Sequence, residues 1–432
     1  MALNYRVTFK ISKQLNTIAQ LLYFRYYMEK KKLNNFKRDV DLSISLNRWI
    51  SKPIGTWPSM KSSQTTRFEF ILKILKILIC YILLCFVLVF GSMFIILELE
   101  DFYSSLKIGS ALSFFLMAAM KYFFLIIREN DIKNCLGCIE MDWKDIKYLE
   151  DKKIMIDNAN FGRKLIKICG FFMYGGVVFY YIILPMTHGR ALDENRNITY
   201  RPLVYPIPKI IADYQISPAN EIFYLIQLFS GLVAHNITVA ACGLVALLAM
   251  HACGQLEILI SWLEYLVDGR ENVSDTLDER LADIIEQHVR AFSFIKRTEE
   301  VISEISLVEI VGCTLGICLL GYHCMMEWDI HQPLGTVTYV ILLISLTFNI
   351  FIFCYIGEVL AEQTLKVGEK SYMIDWYRIP DRKNLALVLI IMMSNSTTKL
   401  TAGNLIDLSI SSFSDVIKSA GAYLNMLRTF TI

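Results

Sequence analysis

The sequence predicts an all-α membrane protein with seven transmembrane helices. Its 432 residues are 55% hydrophobic and only 19% charged, and the mean hydropathy is +0.44. This balance is too apolar for an ordinary soluble protein and is typical of a polytopic membrane protein. A helix needs about 20 largely uncharged residues to cross a bilayer. Segments of this kind lie at 71–97, 107–127, 165–187, 219–250, 305–326, 335–358 and 400–428.

The distribution of charge predicts how these helices are oriented. Lysine and arginine are concentrated in the first 70 residues, in the connection 128–164 and in the segment 366–383, whereas the connections 98–106 and 327–334 contain neither. Cytoplasmic connections carry an excess of these two residues. We therefore expect the N-terminus in the cytoplasm and, after seven crossings, the C-terminus outside. A net charge of only +2 gives no support for a nucleic-acid partner.

Hydropathy and periodicity divide the chain into parts. Residues 1–70 are expected to form a cytoplasmic N-terminal region, and 71–358 to contain helices one to six. The fourth and fifth helices keep a one-sided apolar pattern over 251–304, beyond the length that a bilayer requires. We expect these extensions, together with the segment 359–399, to form a cytoplasmic helical anchor. The final membrane helix is expected at 400–428.

The long connection 188–218 is expected to lie outside the membrane. It is rich in proline, which predicts an extended segment packed as a lid. An Asn-Ile-Thr sequon predicts N-glycosylation at Asn197. The other sequons, at Asn236, Asn272 and Asn395, fall in a helix or on the inner side, where the modification cannot occur.

The final helix combines an apolar body with one polar side. Six polar residues recur along it at steps of three and four, with one turn skipped at Gly421 or Ala422: Asn404, Asp407, Ser411, Ser414, Lys418 and Asn425. In a membrane this stripe must face protein or water, because an ionisable group that faces lipid costs roughly 2.5–3.5 kcal/mol. Two interpretations stay open. The stripe is either the wall of an aqueous pore or the side on which the helix packs against its neighbours.

Aromatic residues recur at similar depth in the outer halves of several helices. The set expected to line a ligand cavity, with one polar amide, is Phe114, Phe115, Tyr180, Tyr181, Phe223, Gln227 and Tyr339. Aromatic walls with a few polar groups are how small apolar ligands are bound. The alternative is ordinary packing within a helical bundle.

No catalytic motif supports an enzyme. The chain lacks a Gly-Xaa-Ser-Xaa-Gly elbow, a phosphate-binding Gly-Lys-Ser/Thr loop and a His-Glu-Xaa-Xaa-His pair. Cys135 and Cys138 form a lone pair without a second pair or histidine cluster, so we expect no metal and no cofactor. Glu309 and Glu358 lie in apolar helices, and for both we favour a structural role with water, lysine or arginine as partner over a proton relay.

The residues near the C-terminus carry a resemblance to a known family. The stretches are Trp376-Tyr377-Arg378-Ile379-Pro380, Leu400-Thr401-Ala402-Gly403, Leu408-Ser409, Phe413, Lys418-Ser419 and Tyr423-Leu424-Asn425-Met426-Leu427-Arg428. On this pattern the chain resembles the insect odorant receptors, and its ending resembles hymenopteran members. The resemblance extends from about residue 46 to the end.

The resemblance implies a function and an assembly. It implies a ligand-gated, non-selective cation channel in the plasma membrane of a sensory neuron dendrite. Four subunits would surround one pore, and a small hydrophobic odorant would bind in the outer half of the bundle. The chain lacks the long intracellular insertion of the shared odorant co-receptor, so it resembles a tuning subunit that assembles with that co-receptor. The implied pore-lining residues are Asn404, Asp407, Ser411, Asp415, Lys418 and Asn425, with Met426 as the gate.

Two other receptor classes are weaker alternatives. A gustatory receptor of the same fold would be expected to show a Thr-Tyr…Gln-Phe pattern in its last helix, and Ala422-Tyr423 is not followed by one. A G-protein-coupled receptor would need an external N-terminus and an Asn-Pro-Xaa-Xaa-Tyr sequence near the end of its seventh helix. The charge distribution instead predicts a cytoplasmic N-terminus.

Overall fold

Helices account for nearly all of the structure, a computed structural model that describes residues 36–58, 67–99, 101–187, 189, 191–193, 198–208, 215–270, 274–329, 333–396 and 399–431. The helices are α1 (36–51), α2 (Arg67–Glu98), α3 (Phe102–Ile127), α4 (Glu129–Lys144), α5 (Leu149–Val177), α6 (Leu184–Thr187), α7 (Ala219–Glu264), α8 (Leu277–Asp329), α9 (Pro333–Met373), α10 (Leu385–Asn395) and α11 (Ile410–Thr431). A π-helical turn, Val178–Ile183, joins α5 to α6, and 3-10 turns lie at Trp376–Arg378 and Asp381–Asn384. The all-α class expected from hydropathy is confirmed.

Two short antiparallel hairpins complete the described chain. Strand β1 (Ala191–Asp193) pairs with β2 (Ile198–Tyr200), and β3 (Thr401–Ala402) pairs with β4 (Ile406–Asp407). The first hairpin lies in the connection between α6 and α7, and the second lies directly before α11.

Six of the described helices are long and apolar enough to cross a membrane: α2, α3, α5 with α6, α7, α8 and α9. The seventh, α11, has 22 residues and is therefore about 33 Å long, which also matches a hydrocarbon core of about 30 Å. Its polar residues keep it below the hydropathy of the other six.

The centre of the bundle is α7. In its apolar stretch 83% of the residues are buried, against 22% in α2 at the periphery. It packs against α2, α3, α5, α8 and α9. Small residues allow this close approach. At Gly243, for example, an added Cβ would lie 2.2 Å from the Asn47 side-chain oxygen. The core of the protein is therefore organised around α7, which other helices cover over most of its surface.

At one end of the bundle, hereafter the anchor end, the helices continue past the length of a membrane span. Here α7 runs on to Glu264, α8 starts at Leu277 and α9 runs to Met373. Ion pairs connect these extensions to each other: Lys370–Glu264 at 3.0 Å, Arg378–Asp268 at 2.7 Å and Lys383–Asp278 at 2.5 Å. Hydrogen bonds to the Asp268 and Asp375 carboxylates, together with their charges, raise the pKa of Arg378.

The final helix is shorter than the sequence analysis expected. It begins at Ile410 rather than at Leu400, and residues 401–407 form the β3–β4 hairpin. The turn contains Gly403 and Asn404, which have φ of 63° and 57°. Glycine and asparagine adopt this left-handed region most readily. The loop between the paired residues Ala402 and Ile406 has three residues, and short hairpin loops of this length commonly contain glycine. The expected helical placement of Asn404 and Asp407 was therefore wrong.

The hairpin is bound to α8 and α9. Gly403 N–H donates to the Ser303 carbonyl at 3.0 Å, and Thr401 N–H donates to the Glu299 carboxylate at 2.9 Å. The hairpin passes so close to α9 that an added Cβ at Gly357 would lie 2.2 Å from the Leu408 carbonyl oxygen. Glu358 then accepts the first N–H of α11, from Ile410 at 3.0 Å. An acidic group at this position stabilises a helix N-terminus.

A buried ion pair connects four helices near the middle of the bundle. The Lys121 ammonium on α3 lies 2.6 Å from the Glu309 carboxylate on α8, and neither side chain has any solvent exposure. Lys121 also donates to Thr238 on α7 at 3.2 Å, and Asn349 on α9 donates to Glu309. Cys313 Sγ donates to the same Glu309 oxygen, Oε1, as Asn349 does, at 3.0 Å, whereas Lys121 binds Oε2. The lysine partner considered for Glu309 in the sequence analysis is thus Lys121.

We predict that Lys121→Met strongly destabilises the protein. The change would leave the Glu309 carboxylate buried without its counter-ion, which costs about 3–5 kcal/mol for such pairs. The double variant Lys121→Met/Glu309→Met removes both charges and should recover most of the loss. Thermal unfolding of the purified protein in detergent measures the effect.

Lys370→Met is the matched control. Lys370 and Glu264 are both about half exposed, so losing this pair should cost less than about 1 kcal/mol. A double variant at Lys121 and Glu309 that is no more stable than the single variant would contradict the prediction.

Candidate functional site

A cavity lies between α3, α5, α7, α8 and α9, in the half of the bundle away from the anchor end. Its free volume is about 720 Å³, part of which is open to solvent. The lining residues are Ser110, Ala111, Ser113, Phe114, Met117, Met173, Gly176, Tyr180, Tyr181, Tyr205, His235, Gly312, Gly316, Leu320, Tyr339, Leu342, Ser345 and Leu346. A narrow, mostly apolar space of this kind is suited to a small organic molecule.

Four of the expected ligand residues line this cavity. Phe114 comes from α3, Tyr180 and Tyr181 from the π-helical turn, and Tyr339 from α9. Sequence reasoning thus placed residues from three separate helices around one space. Their contact with a ligand stays a prediction.

The other three expected residues do not line the cavity. Phe115 is fully buried beside it, edge-on to Tyr205 at a centroid distance of 5.6 Å. Phe223 stacks on Phe86 at 6.1 Å. Gln227 is buried but holds the backbone of Tyr205: it accepts from the Tyr205 N–H at 3.1 Å and donates to the Tyr205 carbonyl at 2.6 Å. The expected lining roles of Phe115, Phe223 and Gln227 are corrected accordingly.

Sequence reasoning missed two residues that are central to the cavity wall. Tyr205 lies in the connection before α7, where no helical period shows its direction, and it is only 4% exposed. Its hydroxyl lies 2.7 Å from that of Tyr181. His235 lies on α7, two turns after Gln227 and one turn after Gly231. A spacing of four residues places His235 on the same face of α7 as Gln227 and Gly231, and this spacing was the sequence signal that could have identified it.

The π-helical turn brings Tyr180 and Tyr181 into the wall. Such single wide turns often occur at functional sites. Tyr224 stabilises this one by donating its hydroxyl to the Tyr181 carbonyl at 2.6 Å. On the opposite side, the absence of a side chain at Gly231 admits the Tyr181 ring, since an added Cβ would lie 2.3 Å from Tyr181 Cζ. The aromatic wall therefore depends on a local backbone irregularity and a glycine.

The final helix α11 has two distinct faces. Its apolar face packs against α8 and α9 and consists of Phe413, Val416, Ile417, Ala420, Leu424 and Leu427. The opposite face is exposed and carries Ser411, Asp415, Lys418, Ala422, Asn425 and Met426. The Asp415 and Lys418 side chains are 69% and 75% exposed and lie 3.5 Å apart. Within the subunit, the polar stripe is therefore not the packing face of the helix.

The two remaining pore candidates lie on the hairpin instead. Asn404 occupies the left-handed turn position, and Asp407 pairs with Lys399 at 2.7 Å. The charge and hydrogen bond of Asp407 raise the pKa of Lys399. The expected glycosylation site, Asn197, lies outside the described residues.

Comparison with known proteins gives the family. A model described as 7tm Odorant receptor matches residues 98–421. Odorant receptor 13a of Drosophila melanogaster is 23% identical over 271 residues, which are 59% of this chain and 63% of that protein. Odorant receptor 45a of the same fly is 26% identical over 249 residues, 57% of each chain. Odorant receptor 10 of Aedes albopictus is 21% identical over 213 residues, 49% of this chain and 56% of that protein. The chain spans about three fifths of the length of these curated relatives.

Two solved structures share the fold. The insect olfactory receptor OR5 from Machilis hrabei in complex with eugenol superposes with a TM-score of 0.72 and 15% identity, over 90% of this chain and 100% of that chain. A second structure of the same receptor gives a TM-score of 0.70. At this identity, the likeness establishes the fold alone. Since the family model extends over most of the sequence, the chain belongs to the insect odorant receptor family.

Proposed function

We propose that the protein is the tuning subunit of a heteromeric, odorant-gated, non-selective cation channel. A small hydrophobic molecule would bind in the cavity, and the exposed face of α11 would line a central pore shared with an odorant co-receptor subunit in a hetero-tetramer. The cavity would lie in the outer half of the bundle, and the channel would act in the plasma membrane of a sensory dendrite.

The observation that carries this proposal is that α8 connects the two parts. Gly312, Gly316 and Leu320 of α8 line the cavity. The next residue, Gly321, lies against α11, where an added Cβ would be 3.3 Å from the Leu424 side chain. Leu424 is two residues before Met426. A ligand that displaces α8 would thus move the end of α11 that is expected to contain the gate.

Contacts with α9 support the same coupling. Tyr339, Leu342 and Leu346 of α9 line the cavity. One turn or more further along α9, Phe351 contacts Phe413 of α11 edge-on, at a centroid distance of 5.4 Å. Two helices therefore run from the cavity to the proposed pore helix. The solved relative in complex with eugenol supports a small organic ligand as the stimulus.

The direct test is an excised-patch recording from cells that express the chain with the family co-receptor. The patch would be exposed to an odorant and cuticular-lipid panel in the absence of nucleotides. We expect a ligand-evoked, non-selective cation current. A current that requires GTP, or the absence of any current despite confirmed surface expression, would contradict the proposal.

We predict that Met426→Ala raises the basal current several-fold. A ring of apolar side chains closes a pore by excluding water, and alanine would widen that ring. Met426 is 56% exposed in the single subunit, so the substitution removes little internal packing. Thr429→Ala, one turn later on the same exposed side, is the control and should leave the basal current unchanged. An unaltered closed state in the Met426 variant would exclude this residue as the gate.

We predict that Asp415→Asn lowers the permeability of calcium relative to sodium. A carboxylate on the pore wall attracts divalent cations more strongly than monovalent ones, and the amide has no charge. Reversal potentials in solutions of two ionic compositions measure the ratio. Asp268→Asn, on the anchor extension, is the control and should leave the ratio unchanged. A calcium-to-sodium permeability ratio in Asp415→Asn that equals the ratio in the Asp268→Asn control would place Asp415 away from the ion path.

We predict that Gln227→Leu raises the ligand concentration needed for half-maximal current by roughly tenfold or more. The change leaves the Tyr205 N–H and carbonyl without their buried partner, at about 1–3 kcal/mol for each group. Tyr205 would then no longer be held in the cavity wall. Dose–response curves provide the measurement. The control is Gln363→Leu, which removes an amide bound to Glu257 at the anchor end. A curve that coincides with the wild type would show that the position of Tyr205 does not matter for ligand binding.

A further inference from the structure

His235 presents a hydrogen-bond acceptor to the cavity. Its ring nitrogen Nδ1 lies 2.8 Å from the carbonyl oxygen of Gly231, one turn earlier on α7. A carbonyl oxygen only accepts hydrogen bonds, so the proton of this bond is on Nδ1. Because Nδ1 is bound back to its own helix, Nε2 is the remaining polar atom of a ring that lines the cavity. Among the described residues, no hydrogen bond to Nε2 is present.

The surroundings favour the neutral ring, in which Nε2 carries a lone pair. His235 is only 6% exposed and packs against Phe114 at 4.6 Å and Tyr181 at 6.3 Å between ring centroids. No described carboxylate contacts the ring. One turn further along α7, Thr238 accepts a hydrogen bond from the positively charged Lys121 ammonium. A second positive charge in this apolar site would be unpaired and repelled.

Most other polar groups of the cavity have partners within the protein. The hydroxyls of Ser110 and Ser113 donate to backbone carbonyls of α3 at 2.9 and 2.7 Å, and Ser345 donates to the Ile341 carbonyl at 2.9 Å. Tyr181 and Tyr205 share a hydrogen bond. The hydroxyls of Tyr180 and Tyr339 both donate and accept, so they do not discriminate between ligand types. His235 is therefore the lining residue that can only accept a hydrogen bond from a ligand and so requires a ligand that donates one.

We propose that His235 selects ligands that carry a hydroxyl donor, namely small alcohols and phenols, over ethers and hydrocarbons of the same shape. This inference rests on the proposed function, in which the cavity is the odorant site. A hydroxyl ligand donates to Nε2 and places its apolar part against the aromatic wall. The methyl ether of the same molecule has no hydroxyl proton, so it leaves Nε2 buried without a partner, and sites built around a hydrogen bond reject such analogues strongly.

The test compares matched ligand pairs on cells that express the chain with the co-receptor. One pair is an alkylphenol and its methyl ether, and the other is a primary alcohol and its methyl ether. We expect the wild type to respond to the hydroxyl member at a concentration lower by roughly tenfold or more. His235→Phe keeps an aromatic ring between Phe114 and Tyr181 but has no acceptor, so the preference should disappear. The ether response should be retained.

Two further variants make the result specific. His235→Gln restores an acceptor oxygen and should recover part of the preference. Thr314→Ala, at a position that does not line the cavity, removes a hydroxyl bound to the Ile310 carbonyl and should leave the preference unchanged. Surface labelling confirms that each variant reaches the membrane. If His235→Phe does not reach it, the ligand preference of His235→Gln, compared with the alanine control, decides whether His235 selects hydroxyl ligands.

The outcomes separate this inference from the proposed function. Equal responses to both members of each pair in the wild type, or an undiminished preference in His235→Phe, would overturn the role of His235 while leaving the odorant channel intact. If no ligand evokes a current from surface-expressed wild-type protein, the proposed function itself fails.

Discussion

The burial of charge within an apolar bundle is the constraint on which the rest of the structure depends. Lys121 and Glu309 are fully buried, and each would be very costly without the other. Satisfying them requires α3 and α8 to lie at one relative position. Thr238 and Asn349 then fix α7 and α9 through the remaining hydrogen bonds. A purely apolar bundle would tolerate small slides between helices, whereas this network does not.

The cavity lies next to this network on the same four helices and α5. Met117 is one turn from Lys121, His235 is one turn from Thr238, and Gly312 is one turn from Glu309. The polar network thus fixes one end of a space whose other walls are aromatic. Small residues keep the space open. At Gly312 an added Cβ would lie 2.2 Å from the Met117 sulfur and would push that side chain towards the cavity. Buried polar contacts therefore border a space that small residues keep open.

The same helices continue to the elements around α11. Beyond the network, α8 binds the β3–β4 hairpin through Glu299 and Ser303, and α9 supplies Glu358 to the first turn of α11. At the other end, Gly321 touches Leu424. The proposed pore helix α11 is thus held at its start by α8 and α9 and contacted near its end by α8. This arrangement is suited to a movement of the end of α11 while its start stays fixed.

Hydropathy predicted the helical class and the spanning segments, because a membrane requires long uncharged runs and little else. The cavity was predictable only in part. Counting residues along the predicted helices places four of the lining residues at a similar depth in the membrane: Phe114, Tyr180, Tyr181 and Tyr339. Tyr205 lies in an irregular connection whose path depends on a tertiary contact with Gln227.

The start of the last helix was predicted wrongly for a local reason. The polar spacing of Asn404 and Asp407 fits a helix, but Gly403 and Asn404 prefer a left-handed turn, and this preference determined the structure. Lys121 could not be assigned to Glu309 from sequence, since 188 positions separate them.

The measurement that tests the central claim most directly is cysteine accessibility along α11 in the co-expressed channel. Single cysteines would replace Ser411, Asp415 and Lys418 on the exposed face, and Val416 and Ala420 on the packed face. A charged, membrane-impermeant thiol reagent would be applied with and without an activating ligand, and native cysteines would be controlled for with the parent channel. We expect the reagent to change the current at the exposed positions, faster with ligand, and to have no effect at Val416 and Ala420. Equal reactivity on both faces, or modification that ignores the ligand, would contradict this expectation.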